Sequence, residues 1–206
     1  LILVLSILPF LSGAVPQNPG DYATLQAEAE RYVAEGSYAR AHELYMRADA
    51  MELSREEARW VDFRLADTAW RSAAATQSSD ATPIDEARTQ LEAAIAKLES
   101  EDDRGRTWAE AQESLGDYWW TRTGSRNQGM AWQYYERALD WWAGSDSVDL
   151  ARERYLGMIW KMSQPRWAER YGYWGSHGSI PQHLLQNAVK IAKTPTDASR
   201  ASYLLA

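Results

Sequence analysis

The chain has no cysteine, and histidine and phenylalanine are scarce in it. Without cysteine there is no disulfide, no thiol nucleophile and no cysteine-ligated zinc, and a lipid anchor on a cleavage-site cysteine is not expected. His177 and His183 lie six residues apart, which is not a usual zinc spacing, and His42 is expected on a solvated helix flank. Nucleophile elbows, phosphate loops, dinucleotide fingerprints and calcium loops are also missing. We therefore expect no enzymatic activity, no metal site and no cofactor.

Positive charge is in deficit, with 22 lysines and arginines against 29 acidic residues and a net charge of −7. Nucleic-acid binding needs clustered lysine and arginine, so a nucleic-acid partner is not expected. Long alternating runs of β-branched residues are absent as well, whereas the helix formers alanine, glutamate, arginine and leucine dominate. This composition predicts an all-α protein.

The N-terminal residues look like an export signal. Residues 1–11 form an apolar run without charge, and the small residues Ser12, Gly13 and Ala14 follow. The run is shorter than the roughly 20 residues that span a membrane and is typical of the apolar part of a signal peptide. We expect residues 1–14 to be a signal-peptide remnant, with a buried helix as the alternative, and residues 15–206 to be one helical repeat domain. The protein would then be periplasmic or extracellular, with no membrane contact beyond this signal.

A short pattern of small and large residues recurs along the chain. Ala41, Tyr45 and Ala48 are separated by four and then three residues, which places them on one helix face. The same spacing joins three further sets: Ala87, Leu91 and Ala94; Ala131, Tyr135 and Ala138; and Pro181, Leu185 and Ala188. Alternation of small and large residues lets another helix dock closely. The pattern indicates stacked helix pairs, the architecture of a helical solenoid.

Start and stop signals divide the chain into nine predicted helices. Ser54 with Glu57 forms a capping box, and Thr82 and Thr194 are predicted N-caps. The predicted helices cover about 21–35, 38–50, 55–74, 83–100, 107–121, 130–143, 148–162, 181–193 and 195–206. Residues 164–179, rich in aromatic residues and glycine, are predicted to be an inserted loop, and the last helix is expected to continue in a longer protein.

Two of these pairs resemble the tetratricopeptide repeat. Gly36 and Tyr38 precede the first small–large–small set, and Leu115, Gly116 and Trp119 precede the third, at the offsets of the family consensus. The spacing within pairs varies, which departs from the fixed period of the family. The resemblance implies a tetratricopeptide-like, right-handed helical-hairpin solenoid with irregular inserted loops. It also implies that the residue after leucine, Gly116 and likewise Gly157, lets the two helices of a pair touch.

In this family the first helix of each pair lines the concave face. Carried over by offset, the resemblance selects these residues as a mixed-charge aromatic groove: Asp67, Trp70, Arg71, Glu113, Asp117, Trp120, Thr121, Arg154 and Lys161. Trp174, in the inserted loop, is a further candidate. The chain has eleven tryptophans, so the rings are expected either to form a binding platform or to pack against the next repeat. The expected partner is a protein or peptide, either a separate one or another part of the same chain.

Three functions stay open at this point. The first is a non-catalytic interaction or scaffold module of an exported protein. The second rests on residues 187–193 and 198–206, which are similar to the N-terminal helical part of bacterial alpha-2-macroglobulin-like proteins and imply a segment of an endopeptidase inhibitor. The third is a glycan-binding component of an uptake system, which would use the tryptophan-rich surface.

Overall fold

The computed structural model describes residues 21–76, 82–100, 104–121, 127–144, 148–163, 180 and 182–206. Within these residues the chain forms helices and no strand, which confirms the predicted all-α class. The helices are α1 Tyr22–Ala34, α2 Tyr38–Asp49, α3 Arg55–Ala75, α4 Thr82–Ala96, α5 Arg106–Thr121, α6 Gln128–Ala143, α7 Val148–Met162, α8 Gln182–Ile191 and α9 Pro195–Leu205. Three predicted features lie outside the described residues: the signal remnant 1–14, the loop 164–179 with Trp174 and His177, and Pro181.

Local caps set several helix ends. The Ser54 hydroxyl accepts from the Glu57 N–H at 3.3 Å, and the Glu57 carboxylate accepts from the Ser54 N–H at 2.8 Å, so the predicted capping box forms. The Asn127 side chain accepts from the Met130 N–H at 3.1 Å. That cap starts α6 two residues before the predicted position, because asparagine satisfies a first-turn N–H that would otherwise lack a partner.

The turn between α1 and α2 depends on Gly36. Its φ of 73° lies in the left-handed region, which glycine adopts without the steric cost of a Cβ. The Gly36 N–H donates to the Val33 carbonyl at 3.0 Å, and the Ser37 N–H donates to the Tyr32 carbonyl at 2.8 Å. This double closure of the helix end is a Schellman motif, and it lets α2 fold back directly onto α1.

Each helix packs against the next one in the chain, and α3 also contacts α5. The recurring small–large–small residues form the centre of these contacts. All those that the structure describes are buried: Ala41, Tyr45, Ala48, Ala87, Leu91, Ala94, Ala131, Tyr135, Ala138, Leu185 and Ala188. The sequence spacing therefore identified the packed face of α2, α4, α6 and α8.

The predicted close approach at glycine holds for one of two positions. A Cβ on Gly116 would stand 2.5 Å from the Tyr135 ring, so α5 and α6 touch there as the resemblance implied. At Gly157 the expectation is wrong, because a Cβ would meet no described atom within 4 Å and the residue is exposed. Helix α7 instead buries Tyr155, Met158 and Ile159. The leucine–glycine dipeptide alone does not determine which way a helix is rotated.

Candidate functional site

Helices α1, α3, α5 and α7 bring their charged side chains into one continuous set, which we call the charge ladder. Its members are Glu30, Arg64, Asp67, Arg71, Glu110, Glu113, Asp117, Arg154 and Lys161. Six of them belong to the predicted site: Asp67, Arg71, Glu113, Asp117, Arg154 and Lys161. The structure thus places the charged part of the predicted groove together.

The first row of the ladder alternates in sign across all four helices. Arg64 on α3 donates to Glu30 on α1 at 2.8 and 2.7 Å, and to Glu110 on α5 at 3.1 Å. On α7, the Arg154 guanidinium reaches Glu110 at 3.1 Å. Each charged side chain therefore contacts one of opposite sign on the first helix of the neighbouring pair. These contacts offset the free-energy cost of burying the charge.

A second row runs about two helix turns further along, seven residues after the first row on each helix. The Arg71 guanidinium donates to Asp67 at 2.7 Å and to Asp117 on α5 at 2.9 Å. The Lys161 ammonium donates to the other oxygen of Asp117 at 2.5 Å. This row joins α3, α5 and α7 through a single aspartate.

The inner members of the ladder are removed from water, whereas its cationic end is not. The side chains of Arg64, Asp67 and Glu110 are 7, 2 and 2% exposed, while those of Arg154 and Lys161 are 32 and 38% exposed. A buried charge is costly unless it is paired and hydrogen-bonded. The predicted groove of charged residues is thus part of a mutually paired network with a buried interior, a partly exposed anionic end at Glu30 and a partly exposed cationic end at Arg154 and Lys161.

Aromatic side chains from the second helices complete the hydrogen bonding. The Tyr45 hydroxyl donates to Glu30, and the Tyr135 hydroxyl donates to Asp117 at 2.6 Å. Burial and the adjacent carboxylate raise the pKa of both tyrosines, which keeps the hydroxyls protonated as donors. On α2 and α6 the large residue of the pattern, a tyrosine, therefore both fills the core and binds the ladder.

Trp70 lies in the core and not on an exposed platform. It is 3% exposed, its Nε1–H donates to Ser114 at 2.9 Å, and the Ser114 hydroxyl donates to Asp67 at 2.5 Å. Its ring meets Tyr118 edge to face at 5.9 Å between centroids. Of the two readings of the tryptophans, packing against the next repeat describes Trp70, because both its ring and its indole N–H contact α5.

The remaining described candidates lie at the C-terminal end of α5. Trp120 is half-buried, with its ring 6.3 Å from that of Tyr135. Thr121 is exposed, and its hydroxyl donates to the Asp117 carbonyl at 2.7 Å. Both residues border the second row of the ladder, so Trp120 is the aromatic candidate that keeps exposed surface next to this row.

The pKa values of two buried ladder carboxyls shift in opposite directions. Burial would raise the pKa of Asp117, but Lys161 and Arg71 outweigh it and lower the pKa to about 2. Burial raises the pKa of Glu113 to about 7, with a contribution from Glu110, although Arg154 opposes this. The Trp142 indole N–H also donates to Glu113, at 2.6 Å. Glu113 is therefore a ladder carboxyl that changes protonation near neutral pH.

The sequence analysis missed Glu30, Arg64 and Glu110. A signal for two of them existed, because Arg64 lies three residues before Asp67, and Glu110 lies three residues before Glu113, on the same helix faces. Partners in the ladder are not evenly spaced in the sequence. Glu30 and Arg64 are 34 residues apart, whereas Arg64 and Glu110 are 46 residues apart. Without a fixed period, the sequence does not reveal which charges face each other.

The described residues contain neither a group of candidate metal ligands nor a helix able to cross a membrane. No group of three or more histidine, aspartate or glutamate side chains is placed there to bind a metal ion. His42 is half-buried with Nδ1 3.0 Å from the Thr68 hydroxyl, which corrects the expectation that it is solvated. None of the described helices combines the length and apolarity that crossing a bilayer requires.

Neither family models nor curated proteins nor solved structures show a significant match to this chain. The geometry of the helix pairs and of the charge ladder is thus the basis on which a function is proposed.

Proposed function

We propose that this chain is a non-catalytic protein-interaction or scaffold module of an exported protein. In this proposal the helices form a tetratricopeptide-like, right-handed solenoid of hairpins with irregular inserted loops. The observation that carries the proposal is the charge ladder, since it links the first helices of four successive pairs in chain order. A catalytic centre would instead gather reactive groups at one point.

The contacts between helices support the solenoid. Each described helix packs on its chain neighbours, and the contact of α3 with α5 is the one expected between first helices of adjacent pairs. In solenoids, stability comes from such neighbour contacts and not from a single central core. The packing of Gly116 against Tyr135 supplies the same close approach within the third pair.

The ladder supports a stiff scaffold. Sliding α3 against α5 by one turn would separate Arg64 from Glu110 and Arg71 from Asp117, which breaks both of these ion pairs between the two helices. Breaking a buried pair costs about 3–5 kcal/mol, so one register is strongly preferred. A fixed register presents the same surface to every partner.

The edge of the ladder beside Trp120 is the surface we assign to the partner. Arg154 and Lys161 are each about one-third exposed and retain N–H groups beyond those used in the ladder. A peptide segment with carbonyl or carboxylate acceptors, from another protein or from elsewhere in this chain, matches such an edge. A tryptophan beside it supplies contact area at low entropic cost.

Peptide selection tests this assignment. Random-peptide display is carried out on the full 206-residue chain, and the selected peptides are then measured by fluorescence anisotropy. We expect Trp120→Ala to weaken them about tenfold or more, as tryptophan contacts at interfaces commonly do. Trp141→Ala is the matched control, because Trp141 is also half-buried on α6 but away from the ladder edge.

Equal binding of the selected peptides to wild type and Trp120→Ala would refute the assigned surface. Recovery of no saturable peptide would refute the interaction module itself. Circular dichroism of both variants separates lost binding from lost folding.

A further inference from the structure

At its α7 end, the first row of the charge ladder has two carboxylates that share one guanidinium. Glu110 and Glu113 lie three residues apart on one face of α5, and Arg154 contacts them at 3.1 and 3.3 Å. Glu110 is also in contact with Arg64 and Arg106, at 3.1 and 2.7 Å. Among the described residues, Arg154 is the cation in contact with Glu113. Glu113 is therefore the less well compensated of the two buried carboxylates.

Both described hydrogen-bond partners of Glu113 are N–H donors. Arg154 donates to one carboxylate oxygen at 3.3 Å, and the Trp142 indole donates to the other at 2.6 Å. An ionised carboxylate accepts at both oxygens, whereas a protonated carboxyl turns one of them into an O–H donor. Protonated Glu113 therefore cannot keep both contacts in this form, because its O–H group would face an N–H group.

The bond to Trp142 is the one that we expect to persist. Trp142 is buried, and losing the Glu113 acceptor would leave its indole N–H without a partner, which is costly inside a protein. Arg154 is about one-third exposed, so Glu110 and solvent water can accept from its N–H groups instead. Protonation of Glu113 thus weakens the contact with Arg154 and not the contact with Trp142.

The surroundings of Glu113 favour its neutral form. Burial raises the pKa of this carboxyl to about 7; Arg154 opposes the rise, whereas Glu110 and Asp117 add to it. The geometry and the burial therefore act in opposite directions. The two N–H donors fit the carboxylate, whereas the loss of water and the adjacent carboxylates favour the acid.

The other charges near Glu113 do not follow the same pH change. Lys161 and Arg71 lower the pKa of Asp117 to about 2, and burial together with Asp117 raises the pKa of Tyr135. Both groups thus keep their protonation states around neutral pH. The titratable and charged ladder groups on the elements packed around Glu113 are Glu110 and Asp117 on α5, Arg154 and Lys161 on α7, Tyr135 on α6, and Arg64, Asp67 and Arg71 on α3.

We propose that Glu113 is a pH switch that controls Arg154. Ionised Glu113 and Glu110 together hold the guanidinium against α5. When Glu113 takes up a proton, the guanidinium turns toward the surface that we assign to the partner, and peptide binding strengthens. This consequence rests on the proposed function, whereas the release of Arg154 is a property of the ladder itself.

The Trp142 indole reports the protonation of Glu113 directly. Its N–H resonance is followed by two-dimensional NMR of the 15N-labelled full chain between pH 5 and 8.5. We expect it to shift with a midpoint near pH 7, because a neutral acid accepts a hydrogen bond more weakly than a carboxylate. Glu113→Gln should abolish this shift. The Trp70 indole, which donates to Ser114, is the internal control. A Trp142 resonance that moves no more than that of Trp70 would overturn the switch.

Chemical modification measures the release of Arg154. Phenylglyoxal reacts with guanidinium groups, and mass spectrometry compares the rate at Arg154 with that at Arg40, an exposed arginine of α2. At pH 8, Glu113→Gln should raise the ratio of these rates about twofold or more, the factor that corresponds to losing a partly exposed ion pair. An unchanged ratio would show that Glu113 does not restrain Arg154, and the switch would be refuted.

Peptide affinity at two pH values tests the consequence for binding. Peptides without histidine, selected on the full chain, are measured at pH 6 and pH 8. We expect wild type to bind them about fivefold more tightly at pH 6, because one negative charge is removed beside the bound acceptor. Glu113→Gln should bind equally at both pH values, while Glu28→Gln, at an exposed glutamate of α1, should keep the wild-type difference.

The three measurements separate failure of the switch from failure of the proposed function. Recovery of no binding peptide, with Trp142 and Arg154 responding as expected, would refute the partner surface and leave the switch standing. Peptides that bind wild type equally at pH 6 and pH 8 would refute control of that surface by Glu113.

Discussion

At the scale of single residues, Glu113 decides how the ladder responds to pH. It lies between Arg154, at 3.3 Å, and the indole N–H of Trp142, at 2.6 Å, and its pKa is still raised to about 7 by burial. Its folded-state pKa thus exceeds the unfolded value of 4.5, so the folded chain binds this proton more tightly. The stability that the proton contributes is complete below pH 4.5 and is lost as the pH rises to about 7.

We predict that deprotonation of Glu113 lowers the free energy of unfolding by up to roughly 3 kcal/mol between pH 4.5 and 7.5. Glu113→Gln should lack that fall, and Glu28→Gln, at an exposed glutamate of α1, should keep it. Urea denaturation at the two pH values measures the difference. Asp117 does not contribute in this window, because its lowered pKa places its loss of stability below pH 4. Identical pH slopes for wild type and Glu113→Gln would contradict the prediction.

At the scale of elements, the contact between α5 and α6 depends on the missing side chain of Gly116. A Cβ there would overlap the Tyr135 ring, and that ring cannot move freely because its hydroxyl is bound to Asp117. Helix α7 provides the contrast, since Gly157 has open space around it among the described residues. Two glycines in the same dipeptide thus have different roles.

We predict that Gly116→Ala destabilises the chain by about 1–3 kcal/mol, the usual cost of overpacking. Gly157→Ala should stabilise it by about 0.5–1 kcal/mol, because alanine lowers the entropy of the unfolded chain and favours the helix. Thermal or urea unfolding measures both. A stabilising Gly116→Ala would mean that the two helices do not approach as closely as the structure has them.

At the scale of the whole molecule, the ladder joins helices that are distant in sequence. Arg64 is its centre, since it contacts Glu30, Asp67 and Glu110 while its guanidinium lies 4.6 Å from the centre of the Trp60 ring. Burial would lower the pKa of Arg64, but these three carboxylates outweigh it and raise the pKa, so the side chain stays charged. One residue therefore connects the first three helix pairs.

We predict that Arg64→Met lowers the free energy of unfolding by about 3–5 kcal/mol, because it leaves buried carboxylates without their cation. Arg31→Met, which removes exposed pairs with Glu28 and Glu35 within α1, should change it by less than about 1 kcal/mol. Chemical denaturation followed by circular dichroism compares the two. Similar small effects would show that the ladder does not connect the pairs energetically.

Local sequence signals predicted the helices and their packed faces. The Ser54 capping box, the Gly36 turn and the repeated spacing around Tyr45 act within one or two helix turns, so they can be read without tertiary structure. Six of the nine ladder charges were also predicted, since they occupy the offsets that the tetratricopeptide resemblance selects on the first helices. Trp70 was selected by the same offsets as a groove residue but lies in the core, because an offset gives the helix face and not what packs against it.

Tertiary structure alone decided which charges meet and what they do. Arg71 and Asp117 are separated by 46 residues in the sequence. They form an ion pair because α3 packs on α5, whereas the sequence analysis expected both to line an open groove. The Trp70 indole likewise finds its acceptor, the Ser114 hydroxyl, 44 residues away on α5. The physical reason is range: caps and helical periodicity act between near neighbours, whereas burial and ion pairing depend on how the helices are stacked.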